Sequence, residues 1–128
     1  MAASSKGRIL CTEDDPDSLE LMLFVLEGAG YEVVCSSDPK LALKLAQSEP
    51  FDLLIMDNWM PELSGVDLAK QIREFNQTVP ILLYSGAVFD SDKRKAFEVG
   101  VQAYLAKPFA IEKLVAEVDR LIREFTKP

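Results

Sequence analysis

The stretch LLIMDNWMPELSG, residues 53–65, decides the fold. Leu53 to Met56 are apolar without a break, and Asp57 follows at once. Phe51 and Asp52 extend the run into a strand over 51–57, and Pro50 closes whatever precedes it. Ser64 supplies a helix cap, which predicts a helix to about Phe75 with Leu68, Ile72 and Phe75 on one face. A strand of this kind looks central, and its carboxylate sits at its tip.

The same unit recurs on both sides. RILCT (8–12) reads as a strand, and PDSLELMLFVLEGAG (16–30) as a helix with Asp15 as cap, Pro16 at its first position and Gly30 just past its end. YEVVC (31–35) is a second strand, and Asp38-Pro39 repeats the cap signal before KLALKLAQSE. Beyond the opening stretch come VPILLYS (79–85) as a strand and a helix from about Asp90 to Val99, ended by Gly100. QAYLA (102–106) is the fifth strand. In the last helix Ile111, Leu114, Val115, Val118, Ile122 and Phe125 share one face. Five strand–helix units in alternation predict an α/β fold, a parallel sheet with helices on both faces. Ligands then gather beyond the carboxyl ends of the strands.

The 128 residues suffice for one domain with one core. With 48% apolar residues and mixed charge, the composition is that of an ordinary globular chain. The net charge of −7 argues against nucleic-acid binding by the chain itself and against anionic membranes. No apolar run reaches the length of a membrane span. MAASSKGR reads as a loose tail, so residues 1–7 are expected to be a flexible N-terminal tail, 8–126 the domain and 127–128 a short C-terminal tail. Cys11 and Cys35 lie in apolar runs with no metal-ligand spacing and read as small core residues. Histidine is absent, which excludes a His/Cys metal site and a His general base. The expected setting is reducing and cytoplasmic.

In a parallel sheet the strand ends bring together Glu13, Asp14 and Asp15, then Asp57, then Ser85 with the small Gly86, then Lys107. Two carboxylates at 4 Å repel by about 4 kcal/mol at an effective dielectric near 20. Either their pKa values rise or a cation lies among them. Hard oxygen ligands favour Mg2+. A metal, an ammonium and a hydroxyl around one carboxylate suit an incoming phosphoryl group, with Asp57 as the nucleophile and an aspartyl phosphate as the product. Asp15 reads as a helix cap.

Four motifs in order, CTEDDPD, LLIMDNWMPELSG, PILLYSG and AYLAKPF, give a sequence that resembles the receiver domains of bacterial two-component response regulators, including the single-domain chemotaxis type. The resemblance covers residues 8 to about 125. It implies a flavodoxin-like (βα)5 three-layer sandwich, with a five-stranded parallel sheet of order 2-1-3-4-5. It implies that Asp57 is the phosphoacceptor, that Asp14 binds Mg2+ directly and Glu13 through water, and that Trp59 lends its backbone carbonyl to the metal. Ser85 matches the switch hydroxyl, Tyr104 the aromatic that turns inward with it, and Lys107 the phosphate-pairing lysine, whose bond to Pro108 is expected to be cis. The implied partners are a sensor histidine kinase or histidine phosphotransfer protein and a downstream protein the sequence does not name. The chain would act as a monomer or a phosphorylation-dependent dimer, and as a switch rather than a turnover enzyme.

Two rivals fit parts of the pattern. A magnesium-dependent phosphatase needs a second acid two residues after its nucleophile, where this chain has Trp59. A receiver-like module that never takes phosphate typically lacks an acidic or lysine position, and this chain has them all. Two features depart from a plain receiver. Trp59 is bulky enough to shield a phosphoryl group from water, which predicts slow self-hydrolysis. The first helix carries Leu21, Phe24 and Val25 beyond its core stripe of Leu19, Met22, Leu23 and Leu26, which predicts either contact with the last helix or a docking patch for a partner helix.

Overall fold

The structure, a computed structural model, describes residues 6–60, 62–86, 90–107 and 111–125. Ten elements alternate along the chain: β1 (Arg8–Thr12), α1 (Pro16–Gly28), β2 (Glu32–Ser36), α2 (Pro39–Ser48), β3 (Leu53–Asp57), α3 (Gly65–Arg73), β4 (Ile81–Ser85), α4 (Asp90–Glu98), β5 (Ala103–Ala106) and α5 (Ile111–Phe125). The strands form one parallel sheet in the order β2-β1-β3-β4-β5. The architecture is therefore the flavodoxin-like one, with β3 at the centre and every residue from Leu53 to Asp57 buried.

Alternation along the strands divides the core in two. Ile9, Leu53, Ile55, Leu82 and Leu105 face α1 and α5, where they meet Met22, Leu26, Leu114, Val118 and Leu121. Leu10, Leu54, Met56, Ile81 and Leu83 face the other way, onto Ala42, Leu68, Ala69, Ile72 and Ala96. Asp15, Asp38 and Ser64 cap their helices by accepting backbone N–H bonds from Ser18, Lys40 and Asp67. Gly30 and Gly100 stand just past α1 and α4 at φ +102° and +99°, the left-handed turn that favours glycine.

Several expected boundaries move. Tyr31 belongs to the closing turn of α1, because its N–H donates to Leu26 O at 3.1 Å, so β2 starts at Glu32. β3 starts at Leu53, since Asp52 is spent on Arg8: its carboxylate accepts the Arg8 N–H at 2.8 Å. β4 begins at Ile81, after Pro80, whose ring nitrogen has no hydrogen to donate to the ladder. β5 begins at Ala103 rather than Gln102. Phe75 is not on the buried face of α3. The helix ends at Arg73, Phe75 stays 38% exposed, and Ala69 completes the face. In α5 the ends of the expected stripe, Ile111 and Phe125, are exposed, while Leu121 takes a core position. Ahead of β1, the Lys6 N–H donates to Gly30 O and the Glu32 N–H to Gly7 O.

The second apolar strip of α1 is divided. Val25 packs partly into the core. Leu21, with Met22, Val25, Ile111 and Leu114, lines a groove of about 540 Å³ between α1 and α5 that reaches Tyr84 and Lys107. Phe24 is 78% exposed. Among the described residues no helix is long and apolar enough to cross a membrane.

Candidate phosphoryl-transfer site

The carboxyl ends of β1, β3, β4 and β5 meet where the strand order reverses, the place such sheets leave open for a ligand. β1 ends at Thr12, so Glu13 is the first residue beyond it, pinned by its N–H to Ser36 O at 3.0 Å. One carboxylate oxygen from each of Glu13, Asp14 and Asp57 lies within 4.8 Å of the others. Glu13 and Asp57 are buried, and Asp14 faces solvent. Lys107 follows β5 and is held there by its N–H, which donates to Ser85 O at 2.8 Å. Its Nζ lies 3.5 Å from Asp57 Oδ2 and 3.5 Å from Glu13 Oε1. Thus the structure brings Glu13, Asp14, Asp57 and Lys107 together, and sets the buried Ser85 at the end of the neighbouring strand.

Three acids to one ammonium is an unbalanced set. Asp14 shows the strain: desolvation, then hydrogen bonding and repulsion from Glu13, holds its pKa above the ordinary carboxylate range. Asp15 stands outside the set. Its carboxylate accepts from the Ser18 N–H and hydroxyl, and chiefly that hydroxyl bond lowers its pKa. This donor set, all oxygen and all hard, fits Mg2+.

The loop after β3 builds the rest of the site. The Trp59 N–H donates to Asp57 Oδ1 at 3.0 Å and fixes the carboxylate, while the indole stays 59% exposed beside it. An open cleft borders Asp57, Trp59, Gly86 and Lys107. Gly65 is required at the start of α3. A Cβ there would lie 2.9 Å from Asp57 O and 2.8 Å from Leu83 Cδ2, so only glycine lets the helix start against the end of the strand. Tyr104 is buried in the core on the α3 and α4 side, and its hydroxyl accepts from Asn58 Nδ2 at 3.2 Å. Pro108, and with it the expected cis bond, lies outside the described residues.

Two members of the site were not foreseen. Tyr84 reads as one more apolar residue of PILLYSG, yet its hydroxyl donates to Glu13 Oε1 at 2.7 Å and the Lys107 ammonium lies 4.7 Å from its ring centroid. Burial, first, then nearby Cys11 and Glu13 push its phenol pKa upward. Asn58 ties the end of β3 to α3, accepting the Val66 N–H at 3.0 Å while it donates to Tyr104. The available signal was chemical. A tyrosine at the tip of a buried strand must find a partner for its O–H, and the strand tips here hold acids.

The model of the response regulator receiver domain matches residues 9–119 of the chain. The alkaline phosphatase synthesis transcriptional regulatory protein PhoP of Bacillus subtilis is 34% identical over 116 residues, 91% of this chain and 48% of that one. The receiver domain of the Francisella response regulator 1452 superposes with a TM-score of 0.89 at 29% identity, over 95% of this chain and 100% of that one. The receiver domain of sensor histidine kinase PA1611 of Pseudomonas aeruginosa PAO1 has a TM-score of 0.85 at 28% identity, over 94% of this chain and 99% of that one, and has a magnesium ion coordinated in its active site cleft. The chain spans about half the length of the curated relatives it matches.

Proposed function

This chain belongs to the response regulator receiver domain family, the phosphoacceptor switches of two-component signalling, and on that premise we propose that Asp57 is its phosphoacceptor. The donor is a phosphohistidine on a sensor histidine kinase or a histidine phosphotransfer protein. An Asp57 carboxylate oxygen forms the new O–P bond as the P–N bond breaks, and the electron pair leaves with the imidazole nitrogen. The observation that carries this reading is the Lys107 ammonium 3.5 Å from Asp57 Oδ2, with two further carboxylates beside it.

Glu13, Asp14 and Asp57, with the Trp59 backbone carbonyl, would hold Mg2+, Asp14 directly and Glu13 through water. When bound, the ion neutralises oxygens of the phosphoryl group. Lys107 supplies a second positive charge, and Ser85 a hydroxyl donor. The phosphorylated aspartate carries about −2 charge near neutral pH and draws both toward it. Tyr104 then repacks from its bond with Asn58, and the surface of α4, β5 and α5 changes its preference for a downstream partner. Trp59, exposed beside Asp57, shields the phosphoryl group from water and slows its hydrolysis.

The domain runs over 8–126, acts in the cytoplasm and works as a monomer or a phosphorylation-dependent dimer. It assists its own phosphorylation and slow dephosphorylation without turning over a substrate. Its excess of acid argues against direct nucleic-acid contact. The exposed strip of α1 at Phe24 is the proposed dock for the kinase or phosphotransfer helix.

Incubation with acetyl phosphate and Mg2+, followed by intact-mass measurement, tests the reading. The expected result is a gain of one acid-stable, base-labile phosphoryl group, absent in Asp57→Asn. An unmodified wild-type protein under these conditions overturns it, and a Trp59→Asn variant whose phosphoryl group decays at the wild-type rate removes the shielding role.

A further inference from the structure

Glu13 is 1% exposed, so its carboxylate is stabilised by what the protein supplies. Oε2 accepts the Asp15 N–H at 3.1 Å. Oε1 has two suitors, the Tyr84 hydroxyl at 2.7 Å and Lys107 Nζ at 3.5 Å. The first is a hydrogen bond at ideal length, and the second is at the outer limit of one. The hydroxyl therefore takes the place on Glu13 that the ammonium would otherwise close upon. The ring of the same residue offers its π face to that ammonium at 4.7 Å. In the β3–β4 ladder Tyr84 is paired with Asp57, the second acid that the Lys107 ammonium approaches.

We infer that Tyr84 is a positioning residue of the phosphoryl-transfer site, whose phenol occupies Glu13 and whose ring supports Lys107, so that the lysine stays shared between Glu13 and Asp57 rather than paired with Glu13 alone. The inference rests on the function proposed for Asp57 and adds a residue to it. A committed Lys107–Glu13 pair would harm the site twice. It would have to break before Glu13 could serve a cation, and it would withdraw the ammonium from Asp57.

Tyr84→Phe keeps the ring and removes the hydroxyl. It weakens Mg2+ binding about tenfold, the scale on which partners of metal ligands act. The fluorescence of Trp59, the chain's single tryptophan, reads this in a titration without any phosphodonor. In a Glu13→Gln background the same substitution leaves the Mg2+ affinity unchanged, because the group it acts through is gone. Tyr84→Leu, which removes the ring as well, also slows phosphorylation by acetyl phosphate at saturating Mg2+ several-fold beyond Tyr84→Phe. A Tyr84→Phe protein with wild-type Mg2+ affinity overturns the inference, and so does an equal loss in the Glu13→Gln background, which marks a packing effect. Both leave the role of Asp57 standing. A wild-type protein that neither binds Mg2+ nor accepts phosphate removes that role and this inference with it.

Discussion

At the amino end of the sheet, Arg8 is closed on several sides. It donates to Glu32 at 2.6 Å, to Glu49 at 2.5 Å and to Pro50 O at 3.1 Å, and its guanidinium stacks 4.7 Å from the Phe51 ring centroid. Hydrogen bonding to Glu49, then to Glu32, raises its pKa. Arg73 is closed in the same way, on Gly100 O, Asn76 O and Gln102 Oε1. At the carboxyl end the Lys107 ammonium lies at 3.5 Å from two acids and is committed to neither, with Asp14 a third acid beside them. Satisfied cations fasten one edge. On the other edge the charge is left open, and an incoming phosphoryl group or cation can use it. The difference predicts that substitutions at the two ends will fail in different assays.

The largest expected effect is at the open end. Lys107→Ala removes the positive side chain 3.5 Å from Asp57 and slows phosphorylation by acetyl phosphate about a hundredfold, the scale of losing one preorganised charge-stabilising group. Its melting temperature changes little, because the two ion-pair contacts it loses, to Asp57 and Glu13, are long and the lysine is partly exposed. A Lys107→Ala protein phosphorylated at the wild-type rate would erase the contrast between the two ends.

Arg73→Ala tests the closed end. It takes the guanidinium donors away from Gly100 O and Asn76 O, while Gln102 Oε1 keeps the Ile81 N–H at 2.8 Å, and this destabilises the domain by about 2–3 kcal/mol in urea titrations. Desolvation already lowers the pKa of this guanidinium, so its hydrogen bonds are what hold the charge there. The variant is expected to accept phosphate at the wild-type rate wherever it is folded. A phosphorylation defect in the folded state would couple the two ends and blur the comparison.

How much of this contrast could be read beforehand follows from chain chemistry. The open end was legible because Asp57, Ser85 and Lys107 each follow directly on an apolar run, and Glu13 and Asp14 come immediately after β1. The caps at Asp15, Asp38 and Ser64 were legible for the same local reason. The closed end was not, because Arg8 meets Glu49 and Arg73 meets Gly100 only through tertiary structure. Helical periodicity placed Phe75, Ile111 and Phe125 on buried faces, since it says nothing of where a helix ends, as α3 does before Phe75, or of what covers its terminal turns. Tyr84 was overlooked because hydropathy treats it as one more buried ring and says nothing of its hydroxyl.

A smaller effect of opposite sign is expected at Asp14. Its pKa in the folded state is raised, first by desolvation and then by Glu13. A carboxyl of this kind favours folding below its unfolded pKa, and the advantage is lost as pH rises through the folded value. Near neutrality the charged Asp14 is therefore a liability when no cation is bound. Asp14→Asn should raise the melting temperature by about 2–5 °C at pH 7 without metal and by almost nothing near pH 3, where both side chains are neutral. Added Mg2+ should narrow or reverse the difference, since only the wild type gains from it. Equal melting temperatures at pH 7 would mean that the open end carries no electrostatic strain.

The smallest change in stability is expected at Phe24, on neither end of the sheet. A side chain 78% exposed has little burial to lose, so Phe24→Glu should shift unfolding by less than about 0.5 kcal/mol. Its neighbour Val25 is partly packed in the core, and the same substitution there should cost several times more. If the strip is the dock, Phe24→Glu accepts phosphate normally from acetyl phosphate and poorly from a phosphorylated kinase or phosphotransfer protein. On that reading a small donor reaches Asp57 through the open cleft beside Trp59, whereas a protein donor also rests on α1. Equal loss with both donors would place Phe24 in service of the fold, and equal competence with both would move the dock away from this helix.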